Sequence, residues 1–320
     1  MRKLLLGTTA LAAAATLSAN AIADISISGY YEWKYQSRSS NITTNDGTTF
    51  ANDSEIVFKF SNKTDSGLDI SLTTELESDD ADTAINESSM TIAGGFGKLV
   101  LGNNDHVGDN YGIEEGDLIA EEINATGVDS LTLLDSDIAG MDGDNNKIAY
   151  HLPAMGGLTA GVSFTNSGAS GASDTTAVGA RYAMSAGGAS ITLGAATATT
   201  EDSTQDIDSQ NMGMKVVTGN VTFIASQGKY EASSTDETGT GAGISFKVND
   251  AMSIGAFTVE VEDDTSSEEY TNTGAEIKYT IASGLTAFIN VEDYDYKVGT
   301  STSTTADSGT VSKLTIKATF

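Results

Sequence analysis

Residues 311–320 read Val-Ser-Lys-Leu-Thr-Ile-Lys-Ala-Thr-Phe. From Leu314 to Phe320 every second residue is apolar, and the residues between them are lysine and threonine. Successive side chains of a β-strand point to opposite faces, so this segment has one apolar and one polar face. A transmembrane barrel strand turns its apolar face to lipid and its polar face to a wet interior. The segment therefore predicts the closing strand of a transmembrane β-barrel.

The first 23 residues have the features of an export signal. Arg2 and Lys3 are basic, residues 4–17 are apolar, and residues 21–23 read Ala-Ile-Ala, a small-x-small cleavage site. The apolar stretch is shorter than the ~20 residues that a membrane-spanning helix requires. We therefore predict a cleaved signal peptide at 1–23, followed by a single exported domain at 24–320.

The composition excludes several classes of protein. With 39% hydrophobic residues and no further long apolar run, the chain is too polar for a helical membrane protein. It contains no cysteine, which excludes a disulfide framework, and a single proline, which leaves the backbone free for sheet ladders. The formal charge of -29 argues against nucleic acid as a partner and favours cations as counterions.

An alternation of period two recurs along the chain, as at 25–35, where isoleucines and aromatic residues share one face. Turn signals separate about sixteen such segments, the even number that a single-chain outer-membrane barrel requires. The predicted strands are 24–36, 53–62, 67–78, 85–94, 97–103, 146–153, 157–166, 174–185, 189–199, 210–218, 220–231, 239–249, 251–262, 271–282, 284–297 and 309–320. The fold class is thus an all-β, antiparallel transmembrane barrel.

The connections alternate between short turns and longer polar loops. Short periplasmic turns and long outer loops are typical of outer-membrane barrels. Strand lysines and arginines also fall opposite the apolar faces, as expected if a lysine at mid-bilayer on the lipid face costs about 2–4 kcal/mol. These bases are Lys34, Lys59, Lys98, Lys147, Arg181, Lys215, Lys247, Lys278, Lys313 and Lys317.

One connection, 104–146, is far longer than the others. It carries twelve acidic residues, no lysine or arginine, and a short helical signal with Asp117 as candidate N-cap. Its apolar residues argue against disorder, so we predict a loop that folds into the barrel and narrows the pore. An extracellular flap is the alternative. The predicted constriction sets loop acids against wall bases: Glu114, Glu115, Asp117, Glu121 and Glu122 against Lys34, Lys59, Lys147 and Arg181.

Other chemistry in the sequence is sparse. Asp142, Asp144 and Asn146 have the spacing that begins a calcium loop, but the following glycine and the later glutamate are missing. Calcium is therefore a candidate ligand, and solvated acidic side chains are the simpler interpretation. The two histidines, His106 and His151, have no surrounding pattern specific for hydrolysis, so we do not expect an enzyme.

Two motifs flank the long loop. Residues 97–102 form a Gly-x-Leu-x-x-Gly pattern, and residues 146–157 form an Asn-x-Ile-x-Tyr-x-x-Pro-x-x-Gly-Gly pattern. With the strand plan, the signal and the terminal Phe320, the chain resembles the general porins of Gram-negative bacteria, particularly the alphaproteobacterial type. The resemblance implies a sixteen-stranded, trimeric channel whose third loop forms the eyelet. The family usually sets an arginine cluster against that loop, whereas Arg181 is the only arginine on a strand predicted here.

These observations predict an outer-membrane porin for passive diffusion of small hydrophilic solutes and ions, moderately cation-preferring, with no cofactor. The expected partners are outer-membrane lipid and lipopolysaccharide, two further copies in a homotrimer, and the barrel assembly machinery through the strand that ends at Phe320. One alternative is a structural or adhesive barrel plugged by residues 104–146. A second is an exported soluble all-β protein.

Overall fold

The structure is a computed structural model. It describes residues 24–77, 87–119, 131–137, 145–166, 173–201, 206–299 and 306–320. The predicted signal peptide lies outside the described residues.

Sixteen antiparallel strands form a closed barrel in which each strand pairs with its neighbours in sequence. The strands are β1 Asp24–Ser40, β2 Gly47–Lys63, β3 Asp69–Glu77, β4 Ser88–Gly94, β5 Gly97–Asn103, β6 Asn146–His151, β7 Leu158–Asn166, β8 Asp174–Ala186, β9 Ala189–Glu201, β10 Asp206–Thr218, β11 Val221–Ala232, β12 Thr235–Lys247, β13 Met252–Asp263, β14 Glu268–Ala282, β15 Leu285–Lys297 and β16 Asp307–Thr319. The predicted fold class and strand number are confirmed.

Pairing of β1 with β16 closes the barrel. Trp33 lies opposite Ile316 in the register, and Gly29 exchanges two backbone hydrogen bonds with Phe320, at 3.0 and 3.1 Å. Closure gives each described strand a hydrogen-bonded neighbour on both sides, which a sheet in lipid requires because no water is present to satisfy free backbone groups. The segment at 311–320 thus has the predicted closing role.

The two faces of the barrel differ as the alternation predicts. Large apolar side chains are exposed on the outer face, for example Ile27 at 49% and Ile289 at 51%. The buried polar and charged residues, such as Glu32 and Asn290, lie on the opposite face, which we call the inner face, whereas Lys229 and Lys297 are ion-paired exceptions on the outer face. The exposed outer stripe is the surface that lipid covers in an outer-membrane barrel.

Several strands extend further than predicted at the end that carries the long loops. β1 continues to Ser40 and β2 begins at Gly47, so the predicted outer loop shortens to 41–46. Arg38 therefore lies on a strand, and the prediction that Arg181 is the only strand arginine is wrong. The hairpin is polar on both faces here, so its sequence loses the period-two signal that marks a membrane-spanning strand.

Helical structure is limited among the described residues. Helix α1 spans Val107–Tyr111, and 3-10 turns lie at Thr43–Asn45 and Glu115–Leu118. None of these helices is long and apolar enough to cross a membrane. The prediction that Asp117 is an N-cap is wrong. The residue before the second 3-10 turn is Glu114, and Asp117 lies within the turn.

The short turns, such as 187–188, 219–220 and 283–284, gather at one end of the barrel, which we call the short-turn end. The opposite, long-loop end carries the 104–145 connection, but the links at 233–234 and 264–267 are also brief there. The alternation of loop lengths is therefore weaker than predicted between β11 and β14.

Candidate functional site

The candidate site is the inner face of the barrel together with the described parts of the long connection, 104–119 and 131–137. Helix α1 begins after His106, whose Nδ1 accepts a hydrogen bond from the Gly108 N–H at 2.9 Å. Val107 and Tyr111 of this helix pack into a buried cluster with wall residues that include Ala177 and Ala196. Small inner-face side chains on β8 and β9 thus let the helix lie close to the strand backbone.

Glycines mark the path of the connection along the wall, and we call them the glycine track. A Cβ atom placed on any of them would come within 3.2 Å of an atom of the connection, which is tighter than ordinary van der Waals contact. They lie on consecutive strands from β7 to β13: Gly161, Gly179, Gly194, Gly213, Gly228, Gly239, Gly241, Gly243 and Gly255. Residues 111–119 and 135–137 therefore rest almost on the backbone of the barrel wall.

Asn211 on β10 joins the two described parts of the connection. Its Oδ1 accepts from the Ile113 N–H at 2.9 Å, and its Nδ2 donates to the carbonyls of Ile113 and Ser136, at 3.1 and 2.7 Å. The side chain is buried, so these bonds satisfy backbone groups that water does not reach. Sequence reasoning missed Asn211, because an isolated asparagine on a strand carries no distinguishing signal.

Glu237 on β12 binds the second described segment. Its carboxylate accepts from the backbone N–H groups of Thr132 and Leu133, at 2.7–3.0 Å. Beside it, Leu131 and Leu133 pack among buried aromatic and valine side chains of the inner face, including Tyr270. This part of the connection is thus fixed by both polar and apolar contacts near the long-loop end.

Glu115, a predicted constriction acid, is fully buried rather than exposed to the channel. Its Oε2 accepts hydrogen bonds from Ser136 and Ser226, while its Oε1 has no partner. Burial raises the pKa of this carboxyl above its ordinary value. Burial likewise raises the pKa of Asp135, which lies nearby and repels a charged Glu115.

The other predicted acids are divided between exposed and undescribed positions. Asp117 is exposed and Glu114 is half-buried, both on the 3-10 turn or beside it. Glu121 and Glu122 lie outside the described residues.

Two of the predicted wall bases bind the connection instead of lining an opening. Lys147 is buried and donates to the Asn104 carbonyl, and Arg181 donates to the Gly112 carbonyl. Each therefore holds backbone of the first described segment against the wall. These side chains lie between the wall and the segment and do not face it from the opposite wall. Their charged groups therefore bind its backbone carbonyl oxygens.

The remaining predicted bases differ from each other. The Lys34 ammonium lies 2.8 Å from a Glu32 oxygen and 3.0 Å from an Asp53 oxygen. Lys59 is exposed on the inner face and has no ion-pair partner among the described residues. Of the four predicted bases, Lys59 is thus the one whose charge is least compensated.

Asp142 and Asp144 of the predicted calcium site lie outside the described residues, and Asn146 is the first residue of β6. Within the described part of the chain, no group of three histidine or acidic residues is arranged to hold a metal ion. The calcium site therefore stays a prediction. His106, close to Asp109 at 3.5 Å, is kept neutral because burial lowers its pKa to about 4.

Comparison with known proteins adds to this geometry. Residues 7–299 match a family model described as Gram-negative porin. This chain belongs to the Gram-negative porin family. Its barrel is accordingly an outer-membrane barrel, with the exposed apolar stripe in lipid.

Solved porin structures share the fold. The anion-selective porin from Comamonas acidovorans matches with 15% identity and a TM-score of 0.66, covering 93% of this chain and 100% of the other. A mutant of Rh. blastica porin matches with 16% identity and a TM-score of 0.64 over the same shares. The trimer form of OmpT, an outer membrane protein of Vibrio cholerae, matches with 13% identity and a TM-score of 0.69, over 93% and 99% of the two chains. No curated protein sequence matched the chain.

Proposed function

We propose that this porin is a water-filled channel for passive diffusion of small hydrophilic solutes and ions, working as a homotrimer and without a chemical step. The supporting observation is that described parts of the long connection lie along the inner face of β7–β13 on the glycine track. A segment held flat on one wall narrows the lumen and leaves the rest of the cross-section to water. A plug would instead need contacts with strands all round the barrel. The hydrogen bonds described above come from β6–β12 alone, and only the apolar cluster of Leu131 and Leu133, at the long-loop end, extends as far as β16.

We further propose a moderate preference for cations. Asp117 is exposed on the connection, and Glu114 beside it is half-buried. Lys147 and Arg181 donate hydrogen bonds to backbone carbonyls of the connection, and Lys34 forms ion pairs with two acids. Low-dielectric walls focus the field of the charges nearest the narrowest point, so exposed loop acids weigh more than compensated bases.

Recordings in planar bilayers test both proposals. Purified protein should give stepwise conductance, and its reversal potential across a salt gradient should have the sign for cations. The variant Glu114→Gln with Asp117→Asn should lose part of that preference, whereas Glu262→Gln, at an exposed position on the outer face of β13, should keep it. The absence of conductance steps would contradict the channel, and anion preference in the unmodified protein would contradict the selectivity.

A further inference from the structure

Charged side chains on the inner face are sorted along the barrel axis. Most bases lie within about six residues of the short-turn end of their strand, and most acids lie at or beyond that distance. The bases near the short-turn end are Lys59, Lys63, Lys98, Lys147, Arg181, Lys215, Lys247, Lys278, Lys313 and Lys317. The acids further along are Glu32, Asp53, Glu55, Glu75, Glu77, Glu237, Asp263, Glu268, Glu276, Glu292 and Asp307.

Few charges break this order. Lys34 and Arg38 lie among the acids, where Lys34 pairs with Glu32 and Arg38 lies 2.6 Å from an Asp307 oxygen. Two acids lie among the bases: Asp69 pairs with Lys63 at 3.0 Å, and Asp24, at the start of β1, lines the same cavity as Lys59. Lys34, Arg38 and Asp69 are compensated locally, and Asp24 removes one positive charge from an end that carries ten bases, so the difference between the two ends remains.

The excess positive charge at the short-turn end comes from lysines without an acidic partner. Four of them have no ion pair among the described residues, and they stand on well-separated strands, β2, β5, β10 and β14, around the circumference. We call them the lysine ring: Lys59, Lys98, Lys215 and Lys278. Lys59 and Lys278 are exposed, and Lys98 and Lys215 are half-buried. Their charges therefore face the water at this mouth of the channel.

We propose that this sorting makes the channel an ionic rectifier whose lysine ring concentrates small anions, such as inorganic phosphate and carboxylates, at the short-turn mouth. The inference rests on the proposed channel function. Acids at the long-loop end concentrate cations there, and the lysine ring concentrates anions at the other end. A potential that is positive on the long-loop side drives both ion types inward and fills the channel with carriers. The opposite potential draws both outward and depletes it.

Current–voltage curves of single channels at about 0.1 M salt test this, because the Debye length of ~10 Å then lets the charges reach the channel axis. We expect currents at opposite voltages of equal size to differ by about twofold, and the difference to vanish at about 1 M salt. The chain has no cysteine. The variant Thr265→Cys, in the turn at 264–267, therefore carries a single thiol at the long-loop end. A bulky thiol reagent added to one chamber reacts with it only if that end faces the same chamber, which gives the orientation of the channel.

Substitution of the lysine ring provides the second arm. Replacing all four lysines by glutamine should abolish the rectification, and replacing them by glutamate should remove the anion-attracting end. Replacing Lys229 and Lys297, outer-face lysines that are ion-paired, should leave the curve unchanged. Linear curves at low salt in an otherwise conducting channel, or rectification that survives the glutamine variant, would overturn the inference. A complete lack of conductance would instead contradict the proposed function. The salt dependence of the unmodified protein tests the rectification even if a variant does not assemble.

Discussion

At the scale of single residues, four polar side chains on the inner wall act as partners for the backbone of the long connection at 104–145. Asn211 and Glu237 accept from its N–H groups, and Lys147 and Arg181 donate to its carbonyls. Unpaired backbone groups in such a confined place would be costly, at about 1–3 kcal/mol each. The connection thus takes its course from specific wall residues as much as from its own sequence.

Glu115 gives this arrangement a dependence on pH. Because burial raises its pKa, the neutral form is the one that fits the wall. The 3-10 turn should bind the wall most tightly at a pH below the ordinary pKa of glutamate. This binding should weaken as the pH rises through the raised pKa of Glu115. We expect open-channel current noise to grow over that range in the unmodified protein.

The variant Glu115→Gln should flatten that trend, because the amide fits the same space and does not ionise. Asp135→Asn is the companion variant, since burial also raises the pKa of Asp135. Current noise that is independent of pH in the unmodified protein would contradict this account. An undiminished trend in the double variant would do so as well.

At the scale of elements, the glycine track sets how close the connection lies to the strands. Gly239 is the clearest case, because a Cβ there would meet the backbone carbonyl of Asp135. We expect Gly239→Ala to push 135–137 away from β12 and toward the channel axis, at a cost of about 1–3 kcal/mol to its seating. Single-channel conductance should fall or become noisy, while the barrel still assembles. Gly47→Ala is the control, because a Cβ at Gly47 meets nothing within 4 Å; equal effects of the two changes would refute the role of the track.

Much of this element plan is readable from the sequence, and the exceptions have physical reasons. Sixteen strands and their faces follow from the period of two, which lipid on one side enforces. The sequence Gly-Thr-Gly-Ala-Gly at 239–243 does signal a close approach on the inner face, although it does not say what approaches. Burial of Glu115 and the course of the connection depend on contacts distant in sequence, for which a single chain gives no pattern.

At the scale of the whole molecule, closure and charge distribution explain how a chain with a formal charge of -29 crosses the outer membrane. Pairing of β1 with β16 removes every free edge, and the alternation keeps charges off the lipid-facing stripe. The inner face then carries the acids and bases that meet solutes. The predicted trimer adds no residue to this path in our account, so one barrel should conduct by itself.

The uptake of neutral solutes by liposomes measures passive diffusion most directly, because no charge effect enters. Liposomes that contain the purified porin should swell in isotonic solutions of small sugars, at rates that fall smoothly with solute size and do not saturate with concentration. Liposomes without protein are the control. Failure of even the smallest sugar to enter, with the barrel shown to be folded by heat-modifiable mobility, would contradict a water-filled channel.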